Sequence, residues 1–224
     1  MIVAGIDEAG RGAVIGPLVV CGVSLEESKV QMLRKIRVRD SKELSPKRRE
    51  HLAKAIEKIA KDIMILKVSP CVIDNRKAEG LNLNQLEAIK FADIINYLKP
   101  DKVFIDSPDV NTMKLRAFVK KMLKEEAELV VEHHADKNHP EVSAASIIAK
   151  VERDNEMKLL SRKYGQMGSG YPSDERATNW LKSWIANNKT FPEFVRRSWV
   201  TIELLEREKQ QSKLSSWFRG RKVD

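Results

Sequence analysis

The chain of 224 residues contains only two cysteines, Cys21 and Cys71, and neither belongs to a CxxC pair. This count excludes a disulfide framework, and we expect both cysteines to be buried as small apolar residues. No apolar run is long enough to cross a bilayer and the N-terminus lacks a secretory pattern, so we expect a cytoplasmic protein. Hydrophobic residues still make up 42% of the chain, which suffices for a packed domain.

Acidic residues are fewer than basic residues. The sequence has 41 Lys and Arg against 32 Asp and Glu, a formal net charge of +9. This excess favours a polyanionic partner, and nucleic acid before a membrane surface. A solvated basic surface without a partner is the alternative, because many stable proteins are rich in lysine.

Hydrophobic periodicity and turn residues predict alternating strands and helices. Strands are predicted at an apolar run in residues 2–4 and in residues 14–23, 63–68, 102–106 and 128–132. Helices are predicted at residues 26–36, 46–60, 82–99, 113–126, 141–164, 174–187 and 199–210. Strands first, then strands alternating with helices, predict an α/β fold with one mixed sheet.

Carboxylates recur just past the apolar runs, at Asp7, Glu8, Asp106 and Asp136. Sites in open α/β sheets gather outside the carboxyl ends of the strands. Oxygen ligands of this kind suit Mg²⁺ or Mn²⁺, and two such ions ~3.5–4 Å apart can clamp a scissile phosphate. The pattern therefore predicts a metal-dependent nuclease. For Asp7 and Glu8 taken alone, an ordinary strand-to-turn junction is an equally good interpretation.

Glu8 raises a geometric objection, because neighbouring residues on a regular strand point to opposite faces. Either the chain turns at Glu8, or Glu8 offers its backbone carbonyl as well as its side chain. Gly10, Gly12 and Gly16 permit both and also imitate a dinucleotide-binding loop. We reject that loop because carboxylates precede the glycines and a strand follows them, where a phosphate-binding helix is required.

Two further clusters have competing interpretations. The histidine-rich stretch His133–His139 suggests zinc at first sight, but no cysteine or HExxH helix supports it. Ser45 and Pro46 predict a helix start whose first turn carries Lys47, Arg48 and Arg49. Cations oppose the helix dipole there, so a phosphate contact is the functional interpretation.

Five blocks stand out in chain order: Asp7-Glu8-Ala9-Gly10-Arg11-Gly12, Asp40-Ser41-Lys42, Phe104-Ile105-Asp106-Ser107, the long block from Ala135 to Asp154, and Gly168-Ser169-Gly170-Tyr171-Pro172. Together they closely resemble the ribonuclease HII family over most of the chain. Type HIII relatives have a lysine in the glycine turn and an added N-terminal domain. Arg11 and the immediate start of the fold favour type HII.

The resemblance implies an RNase H-like mixed five-stranded sheet flanked by helices, with a helical C-terminal region. It implies metal-dependent hydrolysis of the RNA strand of RNA/DNA hybrids, and cleavage 5′ of ribonucleotides embedded in duplex DNA. The products would carry 3′-hydroxyl and 5′-phosphate ends. By position, the catalytic acids that bind two Mg²⁺ or Mn²⁺ ions would be Asp7, Glu8, Asp106 and Asp136. The nucleic-acid-binding residues would be Gly10, Arg11, Gly12, Lys42, Lys47 and Tyr171.

Within that set the resemblance assigns the turn Gly10–Gly12 to the 2′-hydroxyl at the RNA–DNA junction. Tyr171 would stack on the following deoxyribose. A 2′-hydroxyl reader agrees with physical expectation, because this group distinguishes RNA from DNA.

The C-terminal tail holds a second signal, an aromatic pair in a basic and polar terminus. It resembles the sliding-clamp-binding peptide of many replication and repair proteins, and the positions that match are Gln211, Leu214, Trp217 and Phe218. With this motif the resemblance is to archaeal-like members of the ribonuclease HII family. Alternatively, Trp217 and Phe218 fold back onto the domain. We expect a catalytic domain at residues 1–165, a helical region at 166–210 and a flexible tail at 211–224, in a monomer.

Two rival functions share parts of this pattern. Another RNase H-like nuclease, such as a DNA junction resolvase, would use the same acids without a 2′-hydroxyl reader. A catalytically silent, clamp-tethered nucleic-acid adaptor would need the tail but not the acids. The glycine turn with Tyr171 favours the ribonuclease over the resolvase, and the intact acid set favours an enzyme over the adaptor.

Overall fold

The structure is a computed structural model that describes residues 1–38 and 44–220, with side chains described as far as Gln211. Within these ranges the strands are β1 (Ile2–Ala9), β2 (Leu18–Glu26), β3 (Asp62–Val68), β4 (Lys102–Asp106) and β5 (Glu128–Glu132). The helices are α1 (Val30–Lys35), α2 (Pro46–Ile59), α3 (Pro70–Asn75), α4 (Leu83–Leu98), α5 (Thr112–Lys120), α6 (Ala135–Asn138), α7 (Pro140–Tyr164), α8 (Glu175–Asn187) and α9 (Val200–Gly220). None of the described helices is both long and apolar enough to span a membrane.

The strands form one mixed sheet in the order β3-β2-β1-β4-β5, which confirms the predicted fold class. β1 pairs with β2 antiparallel, and β2 with β3 antiparallel. β1 pairs with β4 parallel, and β4 with β5 parallel. Because β1, β4 and β5 run in the same direction, their carboxyl ends meet at one edge of the sheet.

Both faces of the sheet are covered by helices. On one face α4 and α5 contribute residues such as Phe91 and Val119 to a cluster that includes Ile6 and Ile105. On the other face α7 packs on β1 and β2, and α1 and α2 pack against α7 within the same apolar cluster. Local sequence signals fix where several of these helices begin. Asn82 forms a capping box at the start of α4, and the Ser45 hydroxyl accepts a bond from a backbone N–H of α2.

The closest approach between layers lies at Gly5 in β1. A Cβ added there would lie less than 3.0 Å from backbone atoms of Glu141 and Val142 in α7. Because glycine has no side chain, the N-terminal turns of α7 lie directly against β1. This contact sets the position of α7 relative to the carboxyl end of β1.

The C-terminal helices pack against the rest of the chain through a third apolar cluster. Leu181 in α8 and Ile202 in α9 share it with Ile15, Met157 and Met167. The segment that precedes β2 therefore contacts the C-terminal region, and an isolated bridge between Ile15 and Val195 joins the two.

Some predicted details are wrong. The strand predicted at residues 14–23 begins only at Leu18, because Gly16 has a φ of +87° and Pro17 follows it. The short helices α3 and α6 were not predicted, and the last helix continues to Gly220 where an end at residue 210 was predicted. Cys21 is buried as predicted, but Cys71 is exposed because it lies on the outer side of α3.

We expect Gly5→Ala to destabilise the protein severely, because the new methyl group meets backbone that cannot rotate away. Overpacking costs about 1–3 kcal/mol in typical cores, and we expect a loss at the upper end of this range or beyond it. Urea unfolding would measure it. Gly12→Ala is the matched control, since its added Cβ would have 3.9 Å to the nearest side-chain atom. Equal stabilities of the two variants would contradict the contact between β1 and α7.

Candidate active site

Asp7 and Asp106 lie side by side at the carboxyl ends of neighbouring strands. Ile6 in β1 is paired with Ile105 in β4, so the next residue of each strand is an aspartate. Both aspartates lie on the face covered by α7. The carboxyl group of Asp7 receives a hydrogen bond from Ser146, whose hydroxyl also accepts one from the Lys150 ammonium at 2.9 Å.

Asp136 reaches the same edge through the short helix α6. The backbone N–H of Ala135 donates to Asp106 Oδ1 at 3.0 Å, so the start of α6 is bonded directly to the end of β4. The hydroxyl of Ser143 in α7 donates to the backbone carbonyl of Asp136. Asp136 is buried at this junction, with 8% of its surface exposed. The structure therefore brings Asp7, Asp106 and Asp136 to the point where β1, β4 and α7 converge.

Glu8 points to the opposite face. β1 stays paired with β2 through Ala9, with Glu8 opposite Val20, so the chain does not turn at Glu8 and that alternative is wrong. The charges that act on its carboxyl group include Glu87 of α4 and Arg11. Use of its backbone carbonyl toward the Asp7 face stays a hypothesis.

The acids at this edge are electrostatically strained. Burial and, in second place, repulsion by Asp106 raise the pKa of Asp7 from 3.8 to about 7. Burial, followed by repulsion from Asp7, Glu87 and Asp106, raises the pKa of Glu8 well above its ordinary value. Burial likewise raises the pKa of Glu87 to about 7. Removal from water and mutual repulsion both disfavour the ionised forms.

The donor set fits a hard divalent cation in its chemistry. The acids supply only oxygen ligands, and a cation would offset the repulsion that contributes to the raised pKa values of Asp7 and Glu8. In addition, Glu8 Oε2 is buried and has no hydrogen-bond partner among the described residues. Among the described side chains no three acidic, histidine or cysteine groups converge into a complete metal site.

The turn after β1 is held by the buried guanidinium group of Arg196. Arg196 donates to the backbone carbonyls of Gly10 at 2.7 Å, Arg11 at 2.7 Å and Gly16 at 3.1 Å. Burial, and then the nearby charge of Arg153, lower the pKa of Arg196 to about 9. Buried carbonyls left without donors are costly, so Arg196 fixes the shape of the turn.

Tyr171 closes the turn from the other side. Its hydroxyl accepts the backbone N–H of Gly10 at 3.1 Å. The guanidinium group of Arg153 lies over its ring, 5.1 Å from the centroid, and donates to the carbonyls of Ile15 and Ser169. A Cβ on Gly10, which has a φ of +84°, would collide with Arg153. Glycine is therefore required where the turn meets this arginine.

The side chain of Arg11 is directed toward α4. Its Nε donates to Glu87 Oε2 at 3.0 Å, and its Nη2 donates to the side-chain oxygen of Asn84. The amide of Asn84 is in turn bonded to Asp109 at 2.8 Å. Gly12 is exposed, and its open side faces the ring of Tyr171.

The basic residues at the start of α2 have separate environments. Lys47 is exposed, whereas Arg49 donates to the carbonyl of Leu44 and to Asp154, each at 2.7 Å. Arg49 therefore has structural partners that explain its position without a phosphate. Lys42 lies outside the described residues.

The remaining predicted positions are the histidine-rich stretch and the C-terminal motif. His139 Nε2 lies 3.1 Å from Glu132 Oε2 and stacks on Phe104, and His133 contacts a backbone carbonyl. No zinc cluster forms among the described residues. Gln211 is exposed on α9, while the side chains of Leu214, Trp217 and Phe218 lie outside the described part of the chain.

Sequence reasoning missed the residues that support the site. The structure adds Ser146 and Lys150 beside Asp7, Glu87 and Asn84 beside Arg11, and Arg153 and Arg196 behind the turn. The partners of Arg196 lie 180 to 186 residues away in the chain, too far for spacing to reveal them.

The family model described as Ribonuclease HII matches residues 4–202. The chain belongs to the ribonuclease HII family. It is 44% identical over 217 residues to "Ribonuclease HII" from Pyrococcus abyssi, with 96% of each protein covered. As a ribonuclease H it is an enzyme, and the reaction class is hydrolysis.

Solved structures of ribonuclease HII superpose closely on this one. The crystal structure of ribonuclease H2 from Pyrococcus horikoshii OT3 has a TM-score of 0.87 and 45% identity, covering 93% of this chain and 98% of that one. The structure of the PCNA:RNase HII complex from Archaeoglobus fulgidus has a TM-score of 0.84 and 46% identity, covering 91% and 96%. The predicted RNase H-like fold and family are thereby confirmed.

The raised acid pKa values predict that, with a chelator present, this ribonuclease HII loses stability as the pH rises from about 4 to about 7. Asp7 titrates at 3.8 when unfolded and at about 7 when folded, so in this window the folded state binds more protons. Stability therefore falls as the pH rises through the window.

Melting temperatures between pH 4 and pH 8 would measure this loss. We expect Asp7→Asn, which cannot ionise, to show a smaller loss, and Mg²⁺ to restore stability at pH 8. An identical pH profile for the wild type and Asp7→Asn would contradict the electrostatic account.

Proposed function

We propose that this ribonuclease HII is a divalent-metal-dependent endonuclease that hydrolyses the RNA strand of RNA/DNA hybrids. We propose also that it cleaves 5′ of ribonucleotides embedded in duplex DNA, leaving 3′-hydroxyl and 5′-phosphate ends. The observation that carries the proposal is the convergence of two features at one edge of the sheet. Asp7 and Asp106 lie there side by side, and the same strand that carries Asp7 continues into the turn braced by Tyr171 and Arg196.

In this proposal the side chains of Asp7, Asp106 and Asp136 hold the metal. Glu8 also takes part as a ligand, although its side chain lies on the opposite face of the sheet. The cations, Mg²⁺ or Mn²⁺, would supply a nucleophilic water and stabilise the leaving oxygen. Ser146 orients the Asp7 carboxylate by its hydrogen bond, and Lys150 in turn orients Ser146. The bond from Ala135 fixes Asp106, so the acids are positioned before substrate arrives.

Selection of ribonucleotides would fall to the turn Gly10–Gly12 and to Tyr171. The carbonyls of Gly10 and Arg11 already accept hydrogen bonds from Arg196, and the N–H of Gly10 already donates to the hydroxyl of Tyr171. The exposed backbone of Gly12 remains on the side that faces Tyr171. A 2′-hydroxyl can be bonded there while the sugar stacks on the tyrosine ring, which is backed by Arg153. Lys42 and Lys47 would contact phosphates.

The rival functions differ in what they cleave. A junction resolvase would cut DNA without a ribonucleotide, and a clamp-tethered adaptor would bind without cutting. Membership of the ribonuclease HII family favours the ribonuclease over both.

A duplex with one embedded ribonucleotide tests these functions. With Mg²⁺ we expect one cut 5′ of the ribonucleotide and no cut in an all-DNA duplex. We expect Asp106→Asn to lower the rate by on the order of a hundredfold or more, because it removes a charged oxygen ligand. Gel analysis of end-labelled strands would measure both results.

Asp93→Asn is the matched control, because it makes the same change in an exposed pair with Lys90 on α4. It should retain full activity. Failure of the wild type to cut either duplex would overturn the enzyme mechanism proposed here. Equal cutting of both duplexes would show that the turn reads no 2′-hydroxyl.

A sliding clamp is the protein partner that we propose, bound through Gln211, Leu214, Trp217 and Phe218. Two observations support it. The tail has the spacing of a clamp-binding peptide, and a similar ribonuclease HII has been solved in a PCNA:RNase HII complex. The aliphatic and aromatic residues would fill a hydrophobic pocket as one face of a helix.

We expect joint replacement of Leu214, Trp217 and Phe218 by Ala to weaken clamp binding at least about tenfold, because buried aromatic anchors dominate such interfaces. Cleavage of short duplexes should be unchanged. Joint replacement of Ser212, Ser215 and Ser216 by Ala provides a control in the same segment. Calorimetric titration with the clamp would measure both variants, and equal affinities would dismiss the motif.

A further inference from the structure

A basic cleft of about 530 Å³ lies beside the loop that carries Tyr171. It is enclosed by the start of α2, the C-terminal half of α7 and residues 166–169. The cationic groups that line it are Arg49, Lys158, Arg162 and Arg176. Asp154 is the only carboxylate among its described lining residues.

Salt bridges neutralise part of this charge but not all of it. Arg49 pairs with Asp154, Lys158 with Glu50, and Arg176 with Asp174. The backbone N–H and the hydroxyl of Ser169 both donate to Asp174, so neither is free to bind an anion. Arg162 is exposed and forms no salt bridge among the described residues, so its guanidinium group is available to an incoming anion.

α7 links the catalytic edge to the cleft. Ser146, Lys150, Asp154, Lys158 and Arg162 follow one another on it at four-residue spacing. Each step turns this row by about 40° around the helix, so Arg162 faces about 120° away from Lys150. The row begins where Lys150 acts on Asp7 and ends at the cleft. Twelve residues at 1.5 Å each place Arg162 about 18 Å beyond Lys150 along the axis of α7.

That length matches a nucleic-acid strand better than a small ligand. One strand of B-form DNA advances 3.4 Å per nucleotide, so about 18 Å corresponds to roughly five base pairs. Arginine fits phosphate oxygens with two parallel hydrogen bonds, and an open cleft suits a continuous polyanion. Arg49, Lys158 and Arg176 remain in their salt bridges, and their positive charges still attract a nearby phosphate.

We propose that this cleft binds the phosphodiester backbone of duplex substrate roughly five base pairs from the scissile phosphate, with Arg162 as the direct contact. The proposal rests on the proposed function, because it assumes that the duplex is positioned at Asp7 and Asp106. It extends the footprint of the enzyme to one flank of the ribonucleotide.

Binding of the full-length protein to a duplex with one ribonucleotide, measured with a chelator so that nothing is cut, tests the cleft. We expect Arg162→Gln to weaken binding roughly threefold to fivefold, the effect of one exposed charge contact. The slope of log affinity against log salt should fall by about 0.9, the value for one phosphate contact. Lys163→Gln is the matched control, because Lys163 is the next residue of α7 and does not line the cleft.

Trimming the duplex locates the contact. Shortening one flank to about three base pairs should abolish the difference between Arg162→Gln and the wild type, because roughly five are needed to reach the cleft. Shortening the other flank should preserve it. Equal affinities and salt slopes of Arg162→Gln and Lys163→Gln on the long duplex would overturn the proposal, as would a difference that survives both trimmings.

Cleavage by the wild type separates this proposal from the proposed function. Mg²⁺-dependent cutting beside the ribonucleotide with no effect of Arg162→Gln would refute the cleft and leave the function standing. Loss of binding in Arg162→Gln without any cutting by the wild type would refute the function and leave a backbone-binding cleft.

Discussion

The contact between β1 and α7 at Gly5 is the constraint on which the site depends. Because no side chain separates the strand from the helix, the first turns of α7 lie against the carboxyl end of β1. Ser146 is thereby brought to Asp7, and Ser143 to the backbone of Asp136. A side chain at Gly5 would push α7 away and would separate these bonds before it affected any acid directly.

The buried acids and the buried arginines of this region differ in how their charges are compensated. Asp7 and Glu8 are withdrawn from water and have raised pKa values, so their ionised forms cost stability at neutral pH unless a cation joins them. The buried arginines are instead satisfied within the protein, because Arg196 donates to three backbone carbonyls and Arg153 to two. Electrostatic strain is thus concentrated at the candidate site, whereas the turn beside it is held by satisfied hydrogen bonds.

The sequence predicted the parts of the fold and site that depend on local signals. Apolar runs ending in acids identified β1 and β4, and the Ser45-Pro46 pair predicted the start of α2. Boundaries failed where backbone geometry overrode the apolar pattern, as at Gly16, whose positive φ delays β2. Strand alternation predicted that Glu8 faces away from Asp7, but only the strand pairing shows that the chain does not turn there. The support from Arg196 was beyond prediction, because its partners lie 180 to 186 residues away in the chain.

The element proposed to read the substrate joins both ends of the chain. Its glycines follow β1, whereas Tyr171 and Arg196 come from the region after α7, and all of them meet in one hydrogen-bonded unit. A division of the sequence near residue 165 therefore does not coincide with a boundary of the site. The C-terminal helices pack on Ile15 and Met157, so the core that stabilises them also holds the turn in place. Loosening that core would disturb this turn before it disturbed Asp7, Asp106 and Asp136, which lie at the sheet edge and on α6.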